Sequence, residues 1–220
     1  PKAGGAPTLI HQDTGSNIDP GSIVPEQNDV YFSAGANAGG LAYAYAWNKA
    51  SESTTQLYSA GRNLRGNSSH LYWTSGSTLY RANKSVGATA TQVKLLGTAY
   101  TNFEVDDASV VYSSDEAVDL RTLELSAPFS STALHSGTIA ADYVYPPIMD
   151  GSNVYVMAEI GNSPTVTNIY RVSRSGGSLE LFVEDQRGGR ALAQDASHVY
   201  WTIATSCGVG CTSQIVRKAK

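Results

Sequence analysis

The stretch Arg190-Ala191-Leu192-Ala193-Gln194-Asp195-Ala196-Ser197-His198-Val199-Tyr200-Trp201-Thr202 decides the fold, because its parts return along the whole chain. Asp195-Ala196-Ser197 is turn chemistry, since short polar side chains bond the backbone two residues on. Val199-Tyr200-Trp201 is strand chemistry, β-branched and aromatic. The same frame is read at Asn67-Ser68-Ser69-His70-Leu71-Tyr72-Trp73, at Asp107-Ala108-Ser109-Val110-Val111-Tyr112 and at Asp150-Gly151-Ser152-Asn153-Val154-Tyr155. Val30-Tyr31-Phe32 is a fifth, looser instance. Counted from Val30 through Leu71, Val111, Val154 and Val199, the spacings are 41, 40, 43 and 45 residues. A period of that length marks stacked or radially arranged supersecondary units.

After each aromatic strand comes a segment ending in a cation: Leu79-Tyr80-Arg81, Ile169-Tyr170-Arg171, Ile215-Val216-Arg217 and, more loosely, Leu120-Arg121. A turn such as Ser175-Gly176-Gly177-Ser178 then leads to a fourth apolar run, Leu179-Glu180-Leu181-Phe182-Val183. Four short strands per period predict an all-β, five-bladed β-propeller with four antiparallel strands in each blade. The last unit stops at a third strand, while residues 1–10 read as a turn and a fourth strand. The expectation is therefore one propeller domain over 1–220, closed by residues 6–11 pairing with 213–218, which leaves no open sheet edge.

The string Pro1-Lys2-Ala3-Gly4-Gly5-Ala6-Pro7-Thr8-Leu9-Ile10, with Asp-Ala-Ser-x-Val-Tyr-Trp-Thr at 195–202 and Ile-x-Arg at 215–217, resembles the YWTN-type repeats of secreted bacterial propeller proteins, common in myxobacteria and their relatives. The resemblance covers essentially every blade. It is strongest in the last and weakest in the first and third, where Val111-Tyr112-Ser113 lacks the Trp. It implies a propeller of extracytoplasmic location, secreted, periplasmic or on the cell surface. It brings no catalytic residues, and a fold by itself assigns no function.

Composition narrows the classes further. A net charge of −4 with scattered cations gives no electrostatic footprint for nucleic acid. No apolar run approaches the roughly 20 residues that a membrane helix needs. A beginning at Pro1-Lys2-Ala3 reads as a mature or trimmed form, without a signal peptide. Residues 115–125 have helix-favouring content, but their place in the repeat predicts strand. Cys207 and Cys211 fall in the loop between the second and third strands of the last blade. No second Cys/His pair lies near in sequence to complete a zinc site, so a loop-stapling disulfide is expected, which suits an oxidising compartment.

Propellers usually bind ligands at one mouth, where the loops entering the innermost strands meet the hairpin loops after the second strands. The entering loops are read at 12–22, 59–63, 97–102, 137–145 and 185–190. They offer Asp19, Arg62, Asn63, Tyr100, Asn102, Asp142, Tyr143, Tyr145, Arg187 and Arg190. Rings that stack and charges that fix orientation suit a sugar or a small polar ligand. Arg62, Tyr100, Asp142, Tyr143 and Arg190 are the chosen ligand-binding candidates, against the alternative that such tyrosines pack between blades.

Tyr43, Tyr45 and Trp47 alternate with Ala42, Ala44 and Ala46, so one strand face is aromatic, either a stacking platform or a packing layer. His70 and His198 hold equivalent places in the repeat, and His11 and His135 add no metal-ligand spacing. The acidic group Asp106, Asp107, Asp115, Glu116 and Asp119 lacks a calcium-loop pattern. No metal or cofactor is expected.

Two functions remain. One is a monomeric, non-catalytic binding module for a glycan or protein. The alternative is a carbohydrate-active enzyme, a glycosidase or lyase, using carboxylates such as Asp19, Glu104 or Asp142 with tyrosines at the mouth. No nucleophile elbow, phosphate loop or sialidase box supports catalysis.

Overall fold

A computed structural model describes residues 9–10, 22–34, 42–96, 102–113, 117–126, 128–161, 166–189, 191–206 and 212–220. Among these residues there is no helix, and the strands form the blades of a five-bladed β-propeller. The chain divides into two compact units, Pro1–Leu95 and Leu96–Lys220.

The first unit holds two blades. β1 (Ile23–Pro25), β2 (Asp29–Ala34), β3 (Ala42–Asn48) and β4 (Ser53–Ala60) pair in chain order, as do β5 (Arg62–Gly66), β6 (His70–Ser75), β7 (Thr78–Asn83) and β8 (Thr91–Leu95). Their facing sides share one core of Tyr31, Ala44, Leu57, Ala60, Leu64, Leu71, Trp73 and Ala82. Ala44 and Ala46 on β3 point into this core, while Tyr45 on the opposite face stacks on Phe32 at 5.4 Å. The alternation read in 42–47 thus resolves with Tyr45 as a packing residue.

The second unit holds three blades. One is β9 (Asn102–Val105), β10 (Ser109–Ser113), β12 (Arg121–Glu124) and β13 (Ser131–Ala133). The next has an innermost strand split into β15 (Tyr143–Val144) and β16 (Ile148–Met149), followed by β17 (Asn153–Ile160), β18 (Val166–Ser173) and β19 (Glu180–Arg187). The last has β20 (Leu192–Gln194), β21 (His198–Ser206) and β22 (Thr212–Ala219). A small ribbon of β11 (Ala117–Val118) with β14 (Ile139–Ala140), absent from the repeat, adds Val118 and Ile139 to the core around Val111, Val144 and Val154. Residues 115–125 thus supply β11 and β12, strand as expected, with Asp115 and Glu116 outside the described residues. Residues 6–8 and 11 of the expected closing strand also lie outside them.

The turn after the first strand is built alike in the second to fifth blades. Asn67 accepts the backbone N–H groups of Ser69 and His70, Asp106 those of Ala108 and Ser109, Asp150 those of Ser152 and Asn153, and Asp195 those of Ser197 and His198. These bonds correct the frame of the third blade. Asp106 is the turn residue, not Asp107, so Val110 is the counterpart of Leu71, Val154 and Val199. Tyr112 then takes the place of Trp73 and Trp201: it lies opposite Phe103, as Trp201 lies opposite Leu192.

The cation follows the same shift. Arg81, Arg171 and Arg217 lie opposite Tyr72, Tyr155 and Tyr200, whereas Thr122, not Arg121, lies opposite Val111. Glu104 moves too. It pairs with Val111, as Val24 pairs with Tyr31 and Arg65 with Tyr72, so it stands one residue beyond the apolar place that Ile23, Leu64 and Leu192 hold in other blades. Phe103 holds that apolar place, and a one-residue slip puts Glu104 on the other face.

Candidate ligand-binding site

Antiparallel order puts the loop entering a blade's first strand and the hairpin after its second strand at one end, with the polar turns at the other. In the fourth blade the entering loop is described. Residues 137–142 lead into β15, which pairs with the far end of β17: Tyr143 lies opposite Glu159 and Val144 opposite Ala158. The N–H of Asp142 donates to Glu159 O at 2.8 Å and that of Tyr145 to Met157 O at 2.9 Å. The strand segment is therefore held at both ends.

Tyr143 and Tyr145 are two residues apart, so pleating sends them to one face. Their rings meet edge to face, with centroids 4.8 Å apart and planes at 78°. The Tyr145 hydroxyl donates to Glu159 Oε1 at 2.5 Å. Tyr145 and Glu159 are half-buried, Asp142 is exposed, and Tyr143 is 44 % exposed. The result is an aromatic corner whose inner ring is pinned by a carboxylate and whose outer ring meets solvent.

Of the residues chosen from the sequence, Asp142 and Tyr143, neighbours in the chain, lie at this end of the blade. Tyr100 and Arg190 lie outside the described residues, and so do Asp19 and the cysteines Cys207 and Cys211, whose interval separates β21 from β22. Arg62 and Asn63 belong to β5 rather than to a loop, since only Gly61 separates β4 from β5. Asn63 has a left-handed backbone (φ 57°) where the pairing of β5 with β6 shifts register. Asn102 is buried, and its side-chain amide donates to Val144 O at 2.6 Å. It stitches the third blade to the fourth.

Glu159 escaped the sequence reading. A lone charge in the otherwise apolar run Val154-Tyr155-Val156-Met157-Ala158-Glu159-Ile160 was the available signal.

Other candidate groups are occupied structurally. Glu104 Oε1 accepts the N–H of Val105 at 3.0 Å. His135 is buried and its Nε2 accepts the N–H of Leu120 at 3.2 Å. Ser69 and Ser197 meet Nδ1 of His70 and His198 at 2.8 and 2.7 Å, a repeated feature of the turn end. Burial and the neighbouring Arg81 and Lys84 lower the His70 pKa. Two shallow polar depressions also lie at the turn end, beside Asp150, Gln194 and Lys220 and beside Ser109, Thr122 and Arg174. Their cations are held in ion pairs. Among the described residues no three His, Cys, Asp or Glu gather as a metal site, and no helix is long and apolar enough to cross a membrane.

No protein-family model and no curated protein matches the chain. Solved structures match in fold. A chain of hydrazine synthase from Kuenenia stuttgartiensis superposes with a TM-score of 0.64 at 9 % identity, over 96 % of this chain and 66 % of that one. The β-propeller domain of the trilobed protease from Pyrococcus furiosus gives 0.58 at 8 % identity, over 93 % and 69 %. TolB from Acinetobacter baumannii gives 0.58 at 9 %, over 85 % and 51 %. The chain thus spans between about half and two thirds of the length of these proteins. At such identities the likeness defines a class, the β-propellers, and no activity is carried over with it.

Proposed function

We propose that this propeller is a non-catalytic binding module, secreted or displayed at the cell surface, that takes a glycan at the loop end of the fourth blade. The observation carrying this reading is the corner of Tyr143 and Tyr145: a solvent-facing ring, braced by a second ring whose hydroxyl is held by Glu159, with the exposed Asp142 preceding it in the chain. Rigid amphipathic rings give a sugar face a large contact area at small entropic cost, and nearby carboxylates accept its hydroxyls. A glycan array on the full chain, repeated with Tyr143→Ala, tests it. The expected result is binding that the substitution removes. A broad hydrolase and lyase screen accompanies the array, and turnover abolished by Asp142→Asn or Glu104→Gln would replace this reading with a carbohydrate-active enzyme.

The location outside the cytoplasm is supported by the resemblance to YWTN-type repeats and by Cys207 and Cys211, separated by three residues in the sequence. An intramolecular disulfide there is part of the proposal. After alkylation of free thiols, the intact mass should differ between reduced and unreduced protein, and equal masses would refute it. Reduction should cost little stability, because loop-closure entropy grows with loop length.

A further inference from the structure

We propose that Asn102, in the first strand of the third blade, is a positioning residue for the Tyr143–Tyr145 corner of the fourth, setting its affinity through the backbone at Val144. This rests on the proposed binding role and deepens it by naming a residue that tunes the same site.

The strand that carries the corner is short. β15 has two residues, and Tyr145-Pro146-Pro147 separates it from β16. Proline has no N–H to give, so the ladder with β17 is interrupted there. The peptide joining Val144 to Tyr145 falls between the two tyrosines in the chain, and it is gripped from both sides. Its N–H, on Tyr145, donates to Met157 O of the same blade at 2.9 Å. Its carbonyl, on Val144, accepts from Asn102 Nδ2 of the third blade at 2.6 Å. A trans peptide points these two groups in opposite directions, so the two bonds together fix its position and tilt.

Asn102 is buried and pairs with Ser113 across the strands of its own blade, which makes its amide a fixed reference. The third blade takes a second hold upstream, where Ala117 and Val118 of β11 pair with Ala140 and Ile139 in the loop entering the fourth blade. The rings and Glu159 thus come from the fourth blade, while the third fixes the backbone that carries the rings. A ring already set at its bound angle stacks on a sugar without the cost of ordering it.

Gln194 gives an internal comparison. From the fifth blade its side-chain amide donates to Met149 O in β16, the other half of the same split strand. Both amides join neighbouring blades, but Gln194 does so at the turn end, beside Asp150 and Asp195.

The test compares Asn102→Leu with Gln194→Met in the full chain, each replacing an amide by an apolar group of similar shape. Two readouts are taken: binding to the oligosaccharides of the glycan array, and the ring signals of Tyr143 and Tyr145 in tyrosine-labelled protein by NMR, assigned with Tyr143→Phe and Tyr145→Phe. Both variants should lower the urea midpoint, since each leaves a carbonyl without its donor. Asn102→Leu should also shift both ring signals and weaken array binding about tenfold, whereas Gln194→Met should leave rings and binding as in the parent. Asn102→Ala, which removes the amide without adding apolar bulk, is read in the same way should Asn102→Leu fail to fold.

Unchanged ring signals or unchanged array binding in the Asn102 variants would overturn the positioning role and leave the glycan site standing. Equal losses in Gln194→Met would overturn it too, since the effect would then be a general loosening of the blade. If no oligosaccharide binds the parent, or Tyr143→Ala leaves binding intact, the glycan reading itself fails, and the ring signals then decide whether Asn102 holds the corner.

Discussion

Arg174 of the fourth blade reaches Asp106 in the turn of the third, Nη1 to Oδ2 at 2.5 Å. The same guanidinium donates to Ser109 Oγ at 2.9 Å and to Asp150 O, in its own blade's turn, at 3.1 Å. The arrangement recurs. Lys220 of the fifth blade meets Asp150 at 2.8 Å, and Lys84 of the second meets Glu26 of the first and the carbonyl of Asn67. In each case the cation stands just beyond the third strand, where the backbone N–H of Arg174 and of Lys220 reaches a turn carbonyl, Ser152 O and Ser197 O. Leu125 holds that backbone place in the third blade, its N–H on Ala108 O. Asp106 and Asp150 thus each shape their own turn and anchor the next blade's cation, linking local turn chemistry to packing between blades.

Removing the anchor should cost measurable stability. Arg174→Met leaves Asp106, itself part-buried, without its cation and strips two further hydrogen bonds, so a loss of about 1–2 kcal/mol is expected in urea denaturation. Lys49 is the contrast. It is exposed and its ammonium bonds only the carbonyls of Glu26 and Gln27 among the described residues, so Lys49→Met should change stability by less than about 0.5 kcal/mol. Equal effects would remove the distinction.

The anchors also set an acid limit. Burial alone would raise the carboxyls of Asp106 and Asp150. Bonds from Arg174 and Lys220 and from the turn N–H groups outweigh it and hold both below the ordinary aspartate range. A pKa depressed in the folded state adds stability above the unfolded value of about 4, and that stability is lost as pH falls through the folded value. Unfolding free energy should therefore fall as pH is lowered below about 4. In Asp106→Asn with Asp150→Asn, which keeps the turn acceptors but has no proton to bind, the fall should be shallower. An unchanged slope would show that other carboxylates govern it.

Gly61, the one residue between β4 and β5, has no room for a side chain. A Cβ there would sit 1.9 Å from Thr74 O and 2.8 Å from Trp73 Cδ1. Backbone cannot give way as a flexible side chain can, so Gly61→Ala should cost about 2 kcal/mol or more and lower the melting temperature. Gly151 is the control, because a Cβ there meets nothing within 4 Å. Gly151→Ala should stay within about 0.5 kcal/mol of the parent.

The fold was legible because the repeat couples turn chemistry to strand chemistry at a fixed interval, and four of its five instances kept their frame. The third did not. Asp106 and Asp107 both suit the turn, and Val110 and Val111 both suit the strand, so only the hydrogen bonds of Asp106 distinguish them. The same one-residue slip misplaced Arg121. The ribbon of β11 and β14 was invisible because two-residue strands carry no periodicity. Asp142 and Tyr143 could be chosen because loops on a rigid scaffold concentrate binding groups. Glu159 could not, since its link to Tyr145 depends on which strand ends lie side by side.

Tyr58 gives a test of how the first unit's core is filled. Its ring packs on Trp73 at 5.4 Å, and its buried hydroxyl has no partner among the described residues. Burial, reinforced by the neighbouring Tyr31, pushes its pKa well above the usual phenol range, so the group is neutral at all ordinary pH. A buried hydroxyl without a partner gives up its bonds to water and gains nothing in return. Tyr58→Phe keeps the ring against Trp73 and deletes only that oxygen. Its stability should equal the parent's or exceed it by up to about 1 kcal/mol, whereas Tyr58→Ala, which empties the ring's volume beside Trp73, should lose about 3 kcal/mol. A loss above about 1 kcal/mol in Tyr58→Phe would mean that the hydroxyl is bonded after all, to a trapped water or to a residue outside those described.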